Sequence, residues 1–186
     1  MKYCIILGNN FEDIEAVASI DILRRAGVPL DVYGVGGDTI KSRSMLTYKA
    51  ERVFMKAGDV SVDEYDGIIL PGGPGTKQLY NNEELISLIR GFHAKDKSIF
   101  AICAAPTLLD KAGVLTGKRF TCFPGSVSEI KSGTHVDQSV VVDGKLITSQ
   151  GAGTAVDFGL ALVAAIVSPN EAKTQAEKIV YRFYQS

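Results

Sequence analysis

Cys103 stands at the junction of two kinds of sequence. Before it runs Ser98-Ile99-Phe100-Ala101-Ile102, a short apolar stretch of the sort that fills a buried strand. After it come Ala104-Ala105-Pro106-Thr107-Leu108-Leu109, which open a helix. Small residues at 101, 104 and 105 permit a sharp strand-to-helix turn, the logic of a nucleophile elbow with alanines where glycines are often found. A helix start offers unpaired N–H groups and a positive dipole end, both of which favour a thiolate. The plainer alternative is a buried structural thiol, common for any single cysteine.

Two other segments carry groups that a nucleophilic cysteine would use. Pro71-Gly72-Gly73-Pro74-Gly75 ends another apolar run. Gly72 and Gly73 can present backbone N–H groups to an oxyanion, or form no more than a tight turn. Phe11-Glu12-Asp13-Ile14-Glu15 follows the first apolar run. If Glu15 points into a cleft, partial burial raises its pKa, and it can share a proton with the cysteine as general acid or base. Acidic residues at a helix start also complement the dipole, which accounts for Asp13 better than for Glu15, whose neighbours are apolar. Cys4 and Cys122 fall within expected strands and read as packed core thiols. His93 and His135 read as surface residues, and two histidines leave no multi-histidine metal centre.

The elements that must position these groups follow from the apolar pattern. Tyr3–Leu7, Leu30–Val35, Gly67–Leu70 and Ser98–Ile102 read as short strands buried on both faces, with glycine at three of their ends. Arg119–Phe123 reads as a further strand. Gln138–Val142 and Lys145–Thr148 flank Asp143-Gly144, a hairpin signal. Helices are expected over Asp13–Ala26, Leu85–Ala94, Pro106–Ala112, Thr154–Val167 and Asn170–Tyr184, and Lys41–Met55 reads as a β-excursion at the sheet edge. Alternating strands and helices predict an open, doubly wound α/β sheet covered on both faces, here as a single domain over residues 1–186. In such sheets, sites lie beyond the carboxyl ends of the strands where strand order reverses, which selects the loops Gly8–Glu15, Pro71–Gly75, Cys103–Pro106 and Phe123–Gly125.

Composition bounds the function. The 186 residues carry 20 basic and 21 acidic side chains and no polybasic run, which argues against nucleic-acid and membrane-surface binding. Three cysteines, none at CxxC spacing, argue against a disulfide scaffold or zinc ribbon and for a reducing compartment. No signal-peptide core or spanning segment is evident, so a soluble cytoplasmic protein is expected. The helix Asp13–Ala26 is apolar over most of its circumference, with Ile20 and Leu23 among the residues needing cover. That surplus suggests a second copy of the chain as partner.

Four segments together resemble the ThiJ/PfpI family of the glutamine-amidotransferase-like superfamily. They are Phe11-Glu12-Asp13-Ile14-Glu15-Ala16-Val17, Ile69–Gly75, Ala101-Ile102-Cys103-Ala104-Ala105-Pro106 and Leu146–Thr154. The resemblance is closest to the branch of a parkinsonism-associated deglycase and its bacterial chaperone homologue. It implies a flavodoxin-like fold, a readily oxidised Cys103 bonded to Glu15, and oxyanion donors at Gly72 and Gly73 with a further N–H from Ala104. It also implies a homodimer, with Arg25 and Arg43 near the dimer-related site. Some members carry a histidine in a Thr-His-Pro stretch or directly after the cysteine. Here the residues are Thr121-Cys122-Phe123-Pro124 and Ala104, which speaks against protease and glutaminase chemistry. Gly151-Ala152-Gly153-Thr154 opens a helix and could bind an anion, but it lacks the lysine of a phosphate loop. The expected function is a cysteine-dependent glyoxalase or deglycase acting on small carbonyl compounds or glycated adducts, without metal or organic cofactor. The alternative is a non-enzymatic redox sensor, or a redox-dependent chaperone for unfolded proteins, working through oxidation of Cys103.

Overall fold

The computed structural model describes residues 1–182. Its centre is a seven-stranded sheet made of β1 (Tyr3–Leu7), β2 (Leu30–Val35), β5 (Arg52–Phe54), β6 (Gly67–Leu70), β7 (Ser98–Ile102), β10 (Val140–Asp143) and β11 (Leu146–Ser149). The spatial order is β10-β11-β7-β6-β1-β2-β5. All neighbours are parallel except β10 and β11, which form the expected hairpin. Beginning at β1, the chain builds outward through β2 and then crosses to β6 on β1's other side. The order therefore reverses between β1 and β6.

Side-chain alternation splits the core into two layers. From β1, Cys4 and Ile6 point to the layer covered by α2 (Thr76–Tyr80), α3 (Glu83–Ala94) and α4 (Pro106–Ala112). Tyr3, Ile5 and Leu7 point to the layer of α1 (Asp13–Arg25), α5 (Ala155–Ile166) and α6 (Pro169–Lys178). The same period of two divides Ile99 and Ala101 from Phe100 and Ile102 on β7. Cys103 packs against the α1 and α5 layer, whereas Cys4 and Cys122 belong to the other, and all three thiols are free.

Departures from the sequence expectation are local. The excursion after β2 is a hairpin, β3 (Thr39–Lys41) with β4 (Thr47–Lys49), and β5 then joins the sheet edge. The strand expected over Arg119–Phe123 stops at Phe120. β8 (Arg119–Phe120) pairs instead with β9 (Thr134–His135). The next residues leave the ladder because side chain and elbow claim their N–H groups: Thr121 donates to Thr148 Oγ1 (2.9 Å) and Phe123 to the Cys103 carbonyl (2.8 Å). The last helix ends at Lys178, short of the expected Tyr184; residues 183–184 lie outside the described residues. Ile20 and Leu23 are covered by the chain itself, Leu23 fully, so they are not the unpartnered part of α1. The exposed apolar residues there are Ile14 and Val17. Among the described residues no helix is long and apolar enough to cross a membrane.

Candidate active site

The loops after β1, β6 and β7 meet at the reversal of strand order, and each delivers one part of the site. After β7 the chain turns at Cys103, whose φ is +64°, a left-handed conformation uncommon for any residue with a side chain. The surroundings enforce it. The Cys103 N–H donates to the Ser149 carbonyl at the end of β11 (2.9 Å), and its carbonyl accepts from Phe123 N–H (2.8 Å). The elbow read from the small residues at 101, 104 and 105 is therefore present, and Cys103 is partly exposed at its tip.

After β6, Gly72 lies against the elbow. A Cβ there would stand 2.7 Å from Cys103 Cβ and 2.9 Å from both Ala104 N and the Ile102 carbonyl. No other residue allows β6 to approach the nucleophile so closely. Gly73 has φ +102° and crosses the loop after β1, with Glu12 N–H donating to the Gly72 carbonyl at 3.0 Å.

After β1, the first turn of α1 carries Glu15 inward. Its side chain is fully buried, and its Oε2 accepts the Gly72 N–H at 2.8 Å. Oε1 is buried without a well-formed hydrogen bond, an open valence on the side chain that interacts with the Cys103 thiol. Burial raises the Glu15 pKa to about 7, against the opposing pull of the Gly72 N–H and the thiol. Burial also pushes the Cys103 thiol up to about 12, and the Glu15 carboxylate beside it adds to the rise; the N–H groups of Gly73 and Ala104 oppose it. Two sequence expectations are corrected here. The helix start does not by itself make Cys103 a thiolate, because desolvation and a neighbouring negative charge outweigh it. Nor is the Gly72 N–H an open oxyanion donor, since it is spent on Glu15. The donors that face the sulfur are Gly73 and Ala104.

Cys103, Glu15, Gly73 and Ala104 line one cleft of about 810 Å³. Arg43 lines it too, with its guanidinium paired to Glu12 Oε2 (3.0 Å). Arg25 does not. It lies on the exposed last turn of α1, paired to Asp21 (2.7 Å), roughly 15 Å along the helix from Glu15. Sequence reasoning passed over Thr76, Lys77, Tyr80 and Glu129, which also line the cleft. The only signal for the first three was their place just after the Pro71–Gly75 loop. His93 and His135 are exposed, as expected, and among the described residues no cluster of three or more His, Cys, Asp or Glu is placed to hold a metal ion.

The chain has similar relatives of known sequence and structure. The Drosophila melanogaster protein dj-1beta is 32% identical over 183 residues, covering 96% of each chain. Its crystal structure superposes with a TM-score of 0.90 over 98% of this chain and 100% of that one. A Pyrococcus horikoshii protein named as a deglycase is 32% identical over 152 residues, covering 81% of this chain and 90% of its own. The Arabidopsis thaliana DJ-1 homolog B is 37% identical over 164 residues, 84% of this chain; the match spans 36% of that longer protein. The DJ-1/PfpI family pattern runs through residues 1–165, taking in all three loops that build the site, and the chain belongs to that family.

Proposed function

We propose that this protein is a cysteine-dependent enzyme of the glyoxalase or deglycase type, acting on reactive dicarbonyls or their adducts. One observation carries the reading: a partly exposed cysteine at a positive φ faces a fully buried carboxyl whose pKa lies near neutrality. The deglycase name of the Pyrococcus horikoshii relative supports the same class.

With methylglyoxal as substrate, Glu15 carboxylate takes the thiol proton as Sγ adds to the aldehyde carbon. The carbonyl electron pair moves onto oxygen, held by the N–H groups of Gly73 and Ala104, and Glu15 returns the proton to give a hemithioacetal. Glu15 then removes the hydrogen on that carbon as a proton and delivers it to the adjacent carbonyl carbon, while the hydroxyl proton on the first carbon passes to the oxygen of the second. The first carbon is thereby oxidised to a thioester and the second reduced to an alcohol. Water cleaves the thioester, so that methylglyoxal plus water becomes lactate. An aminocarbinol adduct enters at the hemithioacetal by releasing its amine with the proton. The conversion of methylglyoxal and water to lactate is redox-neutral overall and calls for no external oxidant or reductant.

Lactate formation tests the reading. We expect kcat/KM to rise with pH through an ionisation near 7, because Glu15 acts as the carboxylate. Glu15→Gln should flatten that profile and cost roughly 10²-fold or more. Lactate formed equally fast by Cys103→Ala would overturn the proposal. A second reading, redox sensing at Cys103, is favoured by the same N–H groups, which can hold sulfinate oxygens, with protonated Glu15 donating to one of them. Uptake of oxygen on Cys103 without dicarbonyl turnover would select it.

A further inference from the structure

We infer that Thr154 is a positioning residue for Cys103, acting through Ser149. The two hydroxyls at the end of β11 hold the carbonyl that keeps the elbow in its left-handed turn. Cys103 is the reactive group here as in the dicarbonyl reading above, on which the inference rests for its chemistry but not for its geometry. A residue with a side chain leaves a φ of +64° unless its backbone is held. One of the two bonds that hold Cys103 runs from its N–H to the Ser149 carbonyl (2.9 Å). Ser149 is the last residue of β11 and pairs with Ile102, so this bond lies at the open end of the β11–β7 ladder. Ladder ends open locally where nothing backs them.

Here the end is backed. Ser149 is fully buried, its hydroxyl donates to the Ser139 carbonyl (2.7 Å), and its Oγ stands 2.6 Å from Thr154 Oγ1. A hydroxyl has one proton to give. With the Ser149 proton on Ser139, Thr154 is the donor to Ser149 Oγ, and Thr154 Oγ1 accepts the Gly151 N–H (3.1 Å). The Thr154 N–H closes the same loop on the Gly151 carbonyl (2.9 Å). The run Gly151, Thr154, Ser149, Ser139 satisfies both hydroxyls and fixes the chain on either side of the Ser149 carbonyl. Helix capping does not account for the threonine. Thr154 precedes α5, but its side chain makes no cap bond to that helix. What the pair secures is the turn that sets Cys103 against the N–H groups of Gly73 and Ala104. An elbow free to relax takes the sulfur away from those donors.

Amide hydrogen exchange reads the bond directly. The Ile99 N–H donates to the Lys145 carbonyl (3.0 Å) at the other end of the same strand pair and serves as internal reference. Thr154→Val keeps the side-chain shape and removes the hydroxyl. It should raise the exchange rate of the Cys103 amide relative to that of Ile99 about tenfold. Thr154→Ser, which keeps the hydroxyl, should return the ratio to the wild-type value. A ratio that does not change, whether both amides speed up alike or neither does, overturns the inference. Should Thr154→Val fail to fold, Ser149→Ala breaks the pair from the other side and is judged by the same ratio. The reaction is the second readout. In Thr154→Val, kcat for lactate formation should fall about tenfold with KM within about twofold, and Thr154→Ser should restore it. A raised exchange ratio with kcat unchanged overturns the positioning role and leaves the dicarbonyl reading standing. If the wild type forms no lactate, the dicarbonyl reading fails, and the rate of oxygen uptake on Cys103 under matched peroxide takes the place of kcat. The same fall and the same rescue are expected there, and equal uptake by wild type and Thr154→Val overturns the inference.

Discussion

A carboxyl cut off from water resists ionisation, and Glu15 is cut off completely. Its pKa of about 7 stands above the ordinary 4.5 that it takes up in the unfolded chain. Between those values the folded protein keeps a proton that the unfolded chain has lost. The stability from this group is therefore fully present below about pH 4.5 and is lost as pH rises through about 7, by up to about 3 kcal/mol. Glu15→Gln, neutral throughout, should need more urea to unfold than the wild type at pH 8 and show no such advantage at pH 4. An equal advantage at both pH values would trace to packing instead of charge. The roles of Cys103 and Glu15 were legible from residue type and place. The height of the thiol pKa and the spending of the Gly72 N–H on Glu15 were not, because both depend on which atoms water cannot reach.

The elbow is an element held against its own preference. A side chain at φ +64° costs roughly 1–2 kcal/mol relative to glycine, and the bonds from Ser149 and Phe123 hold it there. Cys103→Gly should therefore be more stable than Cys103→Ala by about 1 kcal/mol in urea unfolding, although both lack the thiol. Equal stability would show that the backbone relaxes once sulfur is gone. Elements such as β1, β6 and β7 were readable because strands buried on both faces are continuous apolar runs bounded by turns. The end of β8 was not readable, since Thr121 and Phe123 have strand-forming side chains and leave the ladder only because Thr148 and Cys103 compete for their N–H groups. α2 was missed because five residues are too few to show a helical period.

At the scale of the molecule, Ile14 and Val17 are 55% and 42% exposed on α1. Met45 and Leu46 are bare on the neighbouring hairpin loop, which the Ser44 N–H ties to Asp13 (3.3 Å). We propose that a second copy covers this patch, which adjoins the cleft at Glu12 and Arg43. Sedimentation at micromolar concentration should give about twice 19.9 kDa, and Ile14→Glu with Val17→Glu should give the monomer mass. A wild-type monomer would remove the dimer. The surplus apolar surface of α1 was legible, but its location was not. Leu23 is buried in the core layer that α1 shares with α5, Ile20 packs against that layer, and only the fold shows which turns stay uncovered.

The division of thiols between core layers has a consequence for repair. Cys103 faces one side of the sheet, while Cys4 and Cys122 are buried on the other. A sulfenic acid at Cys103 has no internal thiol to condense with, so its reduction depends on a small reductant diffusing in through the same opening that admits substrate. On the dicarbonyl reading proposed above, catalysis and recycling compete for one entrance, and a cell rich in carbonyl substrate slows the rescue of its own oxidised enzyme.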